Sequence, residues 1–203
     1  MKKTILFVIL EQYADWEAAY LSSALYMLGQ AEYEVKTVSL TDGAVRSIGG
    51  FRALPDYTVN SVPDDYEALV LVGGLSWREE SALRVKPLVE QCREKGRILA
   101  GICDASVFLG SCGVLNDGKH TSNDLNDLKA WSKEAYTGEK NYLLQPAVSD
   151  QNIITANGTA PLEFAKEVLL TLKAAPEDKI MEWFQFHKQG LYNAPLPKDV
   201  SFD

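Results

Sequence analysis

An α/β fold, with a mostly parallel central sheet and helices on both faces, is what this 203-residue sequence predicts. Three observations carry that expectation. Apolar strand-like runs alternate with segments of helical spacing, the pattern of βαβ units. The runs "KTILFVIL", "YEALVLVGG" and "RILAGI" are apolar almost without interruption, as strands buried on both faces are. The length, with 46% apolar and 24% charged residues, suits one globular domain with a full core.

The elements follow in order. "KTILFVIL" is a buried strand, and "DWEAAYLSSALYMLGQ" a helix with Asp15 as its candidate N-cap. "YEVKTVSL" is a second strand. "VRSIGGFRALPDYTV" combines turn glycines with alternation and reads as a short hairpin. "YEALVLVGG" is a buried strand that stops at two glycines, and "VKPLVEQCREKG" an amphipathic helix with a glycine stop signal. "RILAGI" leads without a loop into the helix "ASVFLGSCGVL". "NDLNDLKAWSKE" is a short helix and "AVSDQNIITAN" a hairpin or strand pair. "APLEFAKEVLLTLKA" and "PEDKIMEWFQFHKQG" are the last helices. We read residues 1–203 as one domain with a helical extension from about Pro176 to Asp203, packed over the core or against a partner subunit.

Composition narrows the function. The net charge is −8 and the Lys and Arg are scattered, which argues against a nucleic-acid partner. No apolar stretch has the length of a membrane span. The apolar start is short, lacks a small-residue cleavage site and runs into the acidic "EQYAD", so a cytoplasmic protein is expected. The three cysteines form no CxxC, and with two histidines they suggest neither a disulfide framework nor a metal site. No cofactor is expected.

In sheets of this kind, ligands bind beyond the carboxyl ends of the strands. Three such ends stand out: "LEQYADWE", "LVGGLSW" and "AGICDAS". At the last, a strand turns into a helix at Cys103, the geometry of a nucleophile elbow. The helix end favours a thiolate, so the pKa is expected below the free value of ~8.5; the other reading is a structural cysteine. Cys92 shares a helical stripe with Val85, Leu88 and Val89, and Cys112 one with Ala105, Phe108 and Leu109; both read as core residues. Glu17 heads the apolar stripe Leu21, Ala24, Leu25 and Leu28. Burial there would raise its pKa and let it donate to a thiolate; alternatively it is a first-turn acid complementing the helix dipole. Gly73 and Gly74 allow close backbone approach to a ligand, and the Gly74 and Asp104 amides could form an oxyanion hole. The competing reading is a phosphate loop, but no GxGxxG occurs and the first strand ends without glycine. Trp77 is placed as a pocket wall or a core residue.

Together "ILFVILEQYADWE", "LVLVGG", "ILAGICDAS", "GVLNDGKHTSN" and "IITANGTAPLEFAKEVL" resemble the ThiJ/PfpI family of the class I glutamine amidotransferase-like superfamily. The resemblance covers roughly Lys3 to Leu172 and is nearest to bacterial members labelled intracellular protease or amidase. It implies a flavodoxin-like three-layer sandwich, usually a homodimer or higher oligomer. It also implies an elbow cysteine, Cys103, hydrogen-bonded to a carboxylate, Glu17, with the amides of Gly74 and Asp104 as the hole. Protease-like members carry a histidine directly after the cysteine, where this chain has Asp104. Other members end a "GxxxTTH"-like segment in histidine; here "GKHTSND" puts Asn123, or Asp124, at that place, with His120 three residues away. These three are the candidate third partners. His187, in the tail, is expected in a surface or packing role.

Three functions follow. The first is a cysteine-dependent hydrolase acting on a small amide, carbonyl or peptide, or a glyoxalase-like or isonitrile-hydratase-like relative. The second is a redox-sensing stress protein whose cysteine is oxidised to sulfinic acid. The third is a decayed, purely structural domain.

Overall fold

In the computed structural model, which describes residues 2–29 and 32–197, the first apolar run forms β1 (Lys3–Val8) and the next segment α1 (Asp15–Leu28). β2 (Tyr33–Ser39) follows, then the two-residue strands β3 (Val45–Arg46), β4 (Arg52–Ala53) and β5 (Tyr57–Thr58). β6 (Ala68–Leu71) leads through 3-10 turns at Leu75–Arg78 and Glu80–Val85 into α2 (Lys86–Glu94). β7 (Ile98–Ile102), α3 (Asp104–Ser111), α4 (Leu125–Ser132), β8 (Ala147–Asp150), β9 (Ile153–Ala156), α5 (Pro161–Leu172) and α6 (Glu177–Gln189) complete the chain.

The seven-stranded sheet has the order β5-β2-β1-β6-β7-β9-β8. Every neighbouring pair is parallel except β8 with β9. Alternate residues of each central strand feed opposite faces. Ile5, Phe7, Val70, Ala100 and Ile102 pack under α1, α5 and α6. Leu6, Val8, Leu69, Leu71 and Leu99 pack under α2, α3 and α4. The result is a flavodoxin-like three-layer sandwich, as expected. From β1 the chain steps outward to β2, then returns to β6 on the other side of β1 and continues to β7. The β1–β6 gap is therefore the topological switch point, where such sheets open a crevice.

Several expectations change in detail. The hairpin is only β3 with β4; Tyr57–Thr58 instead joins the sheet edge beside β2. "AVSDQNIITAN" is an antiparallel pair, closed by Gln151 and Asn152, both at positive φ as a tight two-residue turn demands. Ala14, not Asp15, occupies the N-cap of α1, and the Asp15 carboxylate accepts from Gly49 N–H at 2.8 Å, tying down the β3–β4 loop. α6 packs on the core through Ile180, Trp183 and Phe184. Gln30 of the first predicted helix and residues 198–203 of the predicted extension lie outside the described residues.

Candidate functional site

Three strand ends converge beside the switch point. β7 ends at Cys103, which takes φ 60° and ψ −132° before α3 begins at Asp104. A positive φ costs a non-glycine residue strain, and it turns the side chain off the sheet as in a nucleophile elbow. The turn is held by Cys103 N–H to Ala156 O (2.9 Å) and Ser106 N–H to Cys103 O (3.0 Å). β6 ends at Gly73 and Gly74. Gly74 adopts φ 151° with ψ −175°, a conformation open to glycine. It bridges to Tyr13 through Ala14 N–H to Gly73 O (2.9 Å) and Leu75 N–H to Gln12 O (3.1 Å). That bridge locks the β6 end to the segment leading into α1.

Glu17, in the first turn of α1, is 1% exposed and buried with Leu21, Ala24 and Leu25. Neither carboxylate oxygen closes a well-formed hydrogen bond. Burial raises its pKa to about 7, only partly offset by the Cys103 thiol and the Gly73 N–H that face it. Glycines make room for this pairing. A Cβ on Gly158 would sit 2.8 Å from Cys103 Sγ and 3.0 Å from Glu17 Oε1, so sulfur and carboxylate share one space. A Cβ on Gly73 would meet Cys103 Cβ at 2.6 Å and collide with Glu17 Oε2.

The thiol corrects an expectation. Burial first, then the Glu17 charge, pushes Cys103 up to about 11 rather than below the free value. The helix end is present, with Asp104 N–H and the Asn123 amide acting the other way, but burial outweighs them. Asn123 Nδ2 donates to Sγ at 3.3 Å. Its Oδ1 accepts from Gly158 N–H at 2.8 Å, which fixes the amide with the NH2 toward sulfur. Trp16 Nε1 donates to Gly158 O at 3.0 Å, pinning the other side of that glycine.

The remaining candidates separate cleanly. His120 is 1% exposed, with Nδ1 2.8 Å from Gly118 O and Nε2 2.7 Å from Tyr136 Oη. A carbonyl only accepts, so Nδ1 carries the proton and Nε2 accepts from tyrosine. Burial lowers its pKa; both nitrogens are committed away from Cys103. Asp124 is the N-cap of α4, accepting from Asp127 N–H at 2.8 Å. His187 packs among Tyr20, Trp183 and Phe186 on α6. Trp77 is no pocket wall: it is buried against Phe108 (4.9 Å) and donates to Val72 O at 2.7 Å. Trp16, not singled out in the sequence, is the aromatic at the site. Cys92 is fully buried and Cys112 partly so; burial pushes both up to about 11. Asp104 turns to Arg78, which grips it at 2.8 and 2.9 Å and grips Asp127 at 2.9 and 2.6 Å. Arg78 was legible in no motif.

Fold and site together define a doubly wound α/β protein with a cysteine at its strand-to-helix elbow and a buried carboxylate facing it. A profile of the DJ-1/PfpI family matches residues 3–171, and the chain belongs to that family. It is 37% identical over 193 residues to the Bacillus subtilis protein named uncharacterized protease YdeA, covering 95% of this chain and 94% of that one. It is 34% identical over 181 residues to uncharacterized protease YoaZ of the same organism, covering 86% of each. A solved DJ-1 superfamily protein from Agrobacterium tumefaciens superposes with TM-score 0.82 at 37% identity, over 93% of this chain and 100% of that one. A thiJ/pfpI family protein from Bacillus anthracis gives TM-score 0.86 at 34% identity, over 93% and 91%. α6 lies beyond the matched residues. Among the described residues no helix is long and apolar enough to cross a membrane.

Proposed function

We propose that the protein is a cysteine-dependent hydrolase of small amides or related carbonyl compounds, with Glu17 in the place of the missing histidine. One observation carries this reading: the buried, unpartnered Glu17 carboxylate faces the Cys103 thiol while both histidines are committed elsewhere. Glu17, with a pKa near 7, suits general-base work at neutral pH. As Sγ attacks the carbonyl carbon, its proton passes to Glu17 and the C=O electron pair moves onto oxygen. The Gly74 and Asp104 N–H groups stabilise that oxyanion. Collapse expels the amine, which takes the proton back from Glu17. Water, deprotonated by Glu17, then releases the acid and restores the thiol. The names of the two Bacillus subtilis relatives support a protease-like activity. We read the protein as cytoplasmic and homo-oligomeric, acting alone on its substrate and without a cofactor, with the segment from about 176 to 203 an extension of one domain.

The test is a screen of fluorogenic aminoacyl amides and small aldehydes with wild type, Cys103→Ser and Glu17→Gln. Intact mass after a rapid quench then seeks an acyl adduct. Turnover lost in both variants, with an adduct on Cys103, supports the reading. Turnover that survives Cys103→Ser overturns it.

The same raised Glu17 pKa favours a second reading, a peroxide sensor. Below about pH 7 Glu17 is protonated and can donate to an oxidised sulfur. Two molecules of hydrogen peroxide would each transfer one oxygen to the thiolate, releasing water and leaving a sulfinate. A stable gain of two oxygens on Cys103, lost in Glu17→Ala, which has no donor there, would mark this chemistry.

A further inference from the structure

Asp104 stands directly after the reacting cysteine, and its charge acts to raise the pKa of both Glu17 and Cys103. Left alone, a carboxylate there would oppose every step that puts negative charge on sulfur. It is not left alone. Arg78 Nε and Nη2 take both Asp104 oxygens, at 2.8 and 2.9 Å. Nη1 and Nη2 take both oxygens of Asp127, at 2.9 and 2.6 Å. Two forks on one guanidinium are a geometry only arginine provides. The Trp131 ring, 5.3 Å from the guanidinium carbon, flanks it. All three charged side chains are at most about two-fifths exposed.

The same cation links three segments of the site. Arg78 ends the 3-10 turn that follows Gly73 and Gly74. Asp104 opens α3. Asp127 lies in the first turn of α4, whose cap Asp124 follows Asn123, the donor to Cys103 Sγ. We propose that Arg78 is a positioning residue for Cys103: it neutralises Asp104 beside the sulfur and ties the elbow to the loop that carries Asn123. The charged groups facing the thiol are Glu17 from α1 and Asp104 from α3, and only Asp104 has a cation against it. This rests on Cys103 being the reacting group, and not on what it reacts with.

The experiment is the pH dependence of Cys103 alkylation by iodoacetamide, mapped by peptide mass so that Cys92 and Cys112 do not interfere. It needs no substrate, so it is read even if the hydrolase reading fails. Arg78→Gln should raise the apparent thiol pKa by about one pH unit, the effect of an uncompensated charge at this range. Alkylation at a fixed pH below that pKa should slow about tenfold. In an Asp104→Asn background, removing Arg78 should move the profile by less than half as much, because the charge it offsets is gone. An unmoved profile in Arg78→Gln, or an equal shift in both backgrounds, overturns the proposal. Should Arg78→Gln fail to fold by circular dichroism, Arg78→Met, uncharged and of similar length, replaces it in both backgrounds: a shift smaller in the Asp104→Asn background supports the role, and an equal or absent shift overturns it.

Discussion

Helix α3 begins at one thiol and ends at another. Cys103 precedes its first residue and Cys112 follows its last. Both are partly buried, and burial pushes both up to about 11. Burial therefore does not distinguish them; their company does. Cys103 sits at φ 60° with a carboxylate, an oriented amide and two close glycines around the sulfur. Cys112 sits at φ −85° at an ordinary helix end, where the Lys86 charge lowers its pKa only slightly against burial. What sets Cys103 apart from Cys112 is thus the set of groups brought to it from other segments of the chain.

The comparison breaks most severely with Cys103→Ser. Turnover in the screen above should fall by at least about 10³-fold, as expected when a covalent nucleophile is lost. Cys112→Ser should leave it within about twofold. If the two variants behave alike, the distinction drawn here fails.

Next in size is Gly158→Ala. Its Cβ would lie 2.8 Å from Sγ and 3.0 Å from Glu17 Oε1, so the pair must separate. Turnover should fall by about 10²-fold, in keeping with the cost of a misplacement of about 1 Å. Circular dichroism should still report a folded chain. Unchanged rates would mean that the two groups do not share that space.

Glu17 should also leave a mark on stability. Its folded pKa, about 7, stands above its ordinary value of 4.5. The stability tied to its proton is therefore fully present below about pH 4.5 and lost as pH rises through about 7. Relative to Glu17→Gln, wild type should lose about 3 kcal/mol between pH 4.5 and pH 8. Urea denaturation of the two proteins at both pH values checks this. Parallel pH profiles would mean that Glu17 reaches solvent or a cation.

How much of this was legible differs by element. The central strands were, because "KTILFVIL" and "RILAGI" are buried on both faces and need no partner to be recognised. The edge strand Tyr57–Thr58 was not: it has two residues, and only pairing with Val38 and Ser39 makes it a strand. Cys103, Glu17, Gly73 and Gly74 could be picked out because each ends or follows a readable strand. Asn123 came from the matching of a family segment, since an asparagine in a loop carries no signal of its own. Arg78 could not be found. Its partners lie 26 and 49 residues away, and only folding brings them together. The direction of the thiol shift is hidden for a related reason: a helix start is visible in sequence, but the depth at which it is buried is not.

The central claim is that the Glu17 carboxylate faces the thiol and takes its proton when sulfur attacks. The most direct test is the rate of Cys103 alkylation against pH in wild type and Glu17→Gln. The account predicts a wild-type thiol that titrates above the free value of ~8.5, because burial and the Glu17 charge both raise it. It predicts a lower apparent pKa and faster alkylation at neutral pH in Glu17→Gln, where that charge is absent. Coincident profiles, or a thiol whose pKa rises when Glu17 is neutralised, would contradict it.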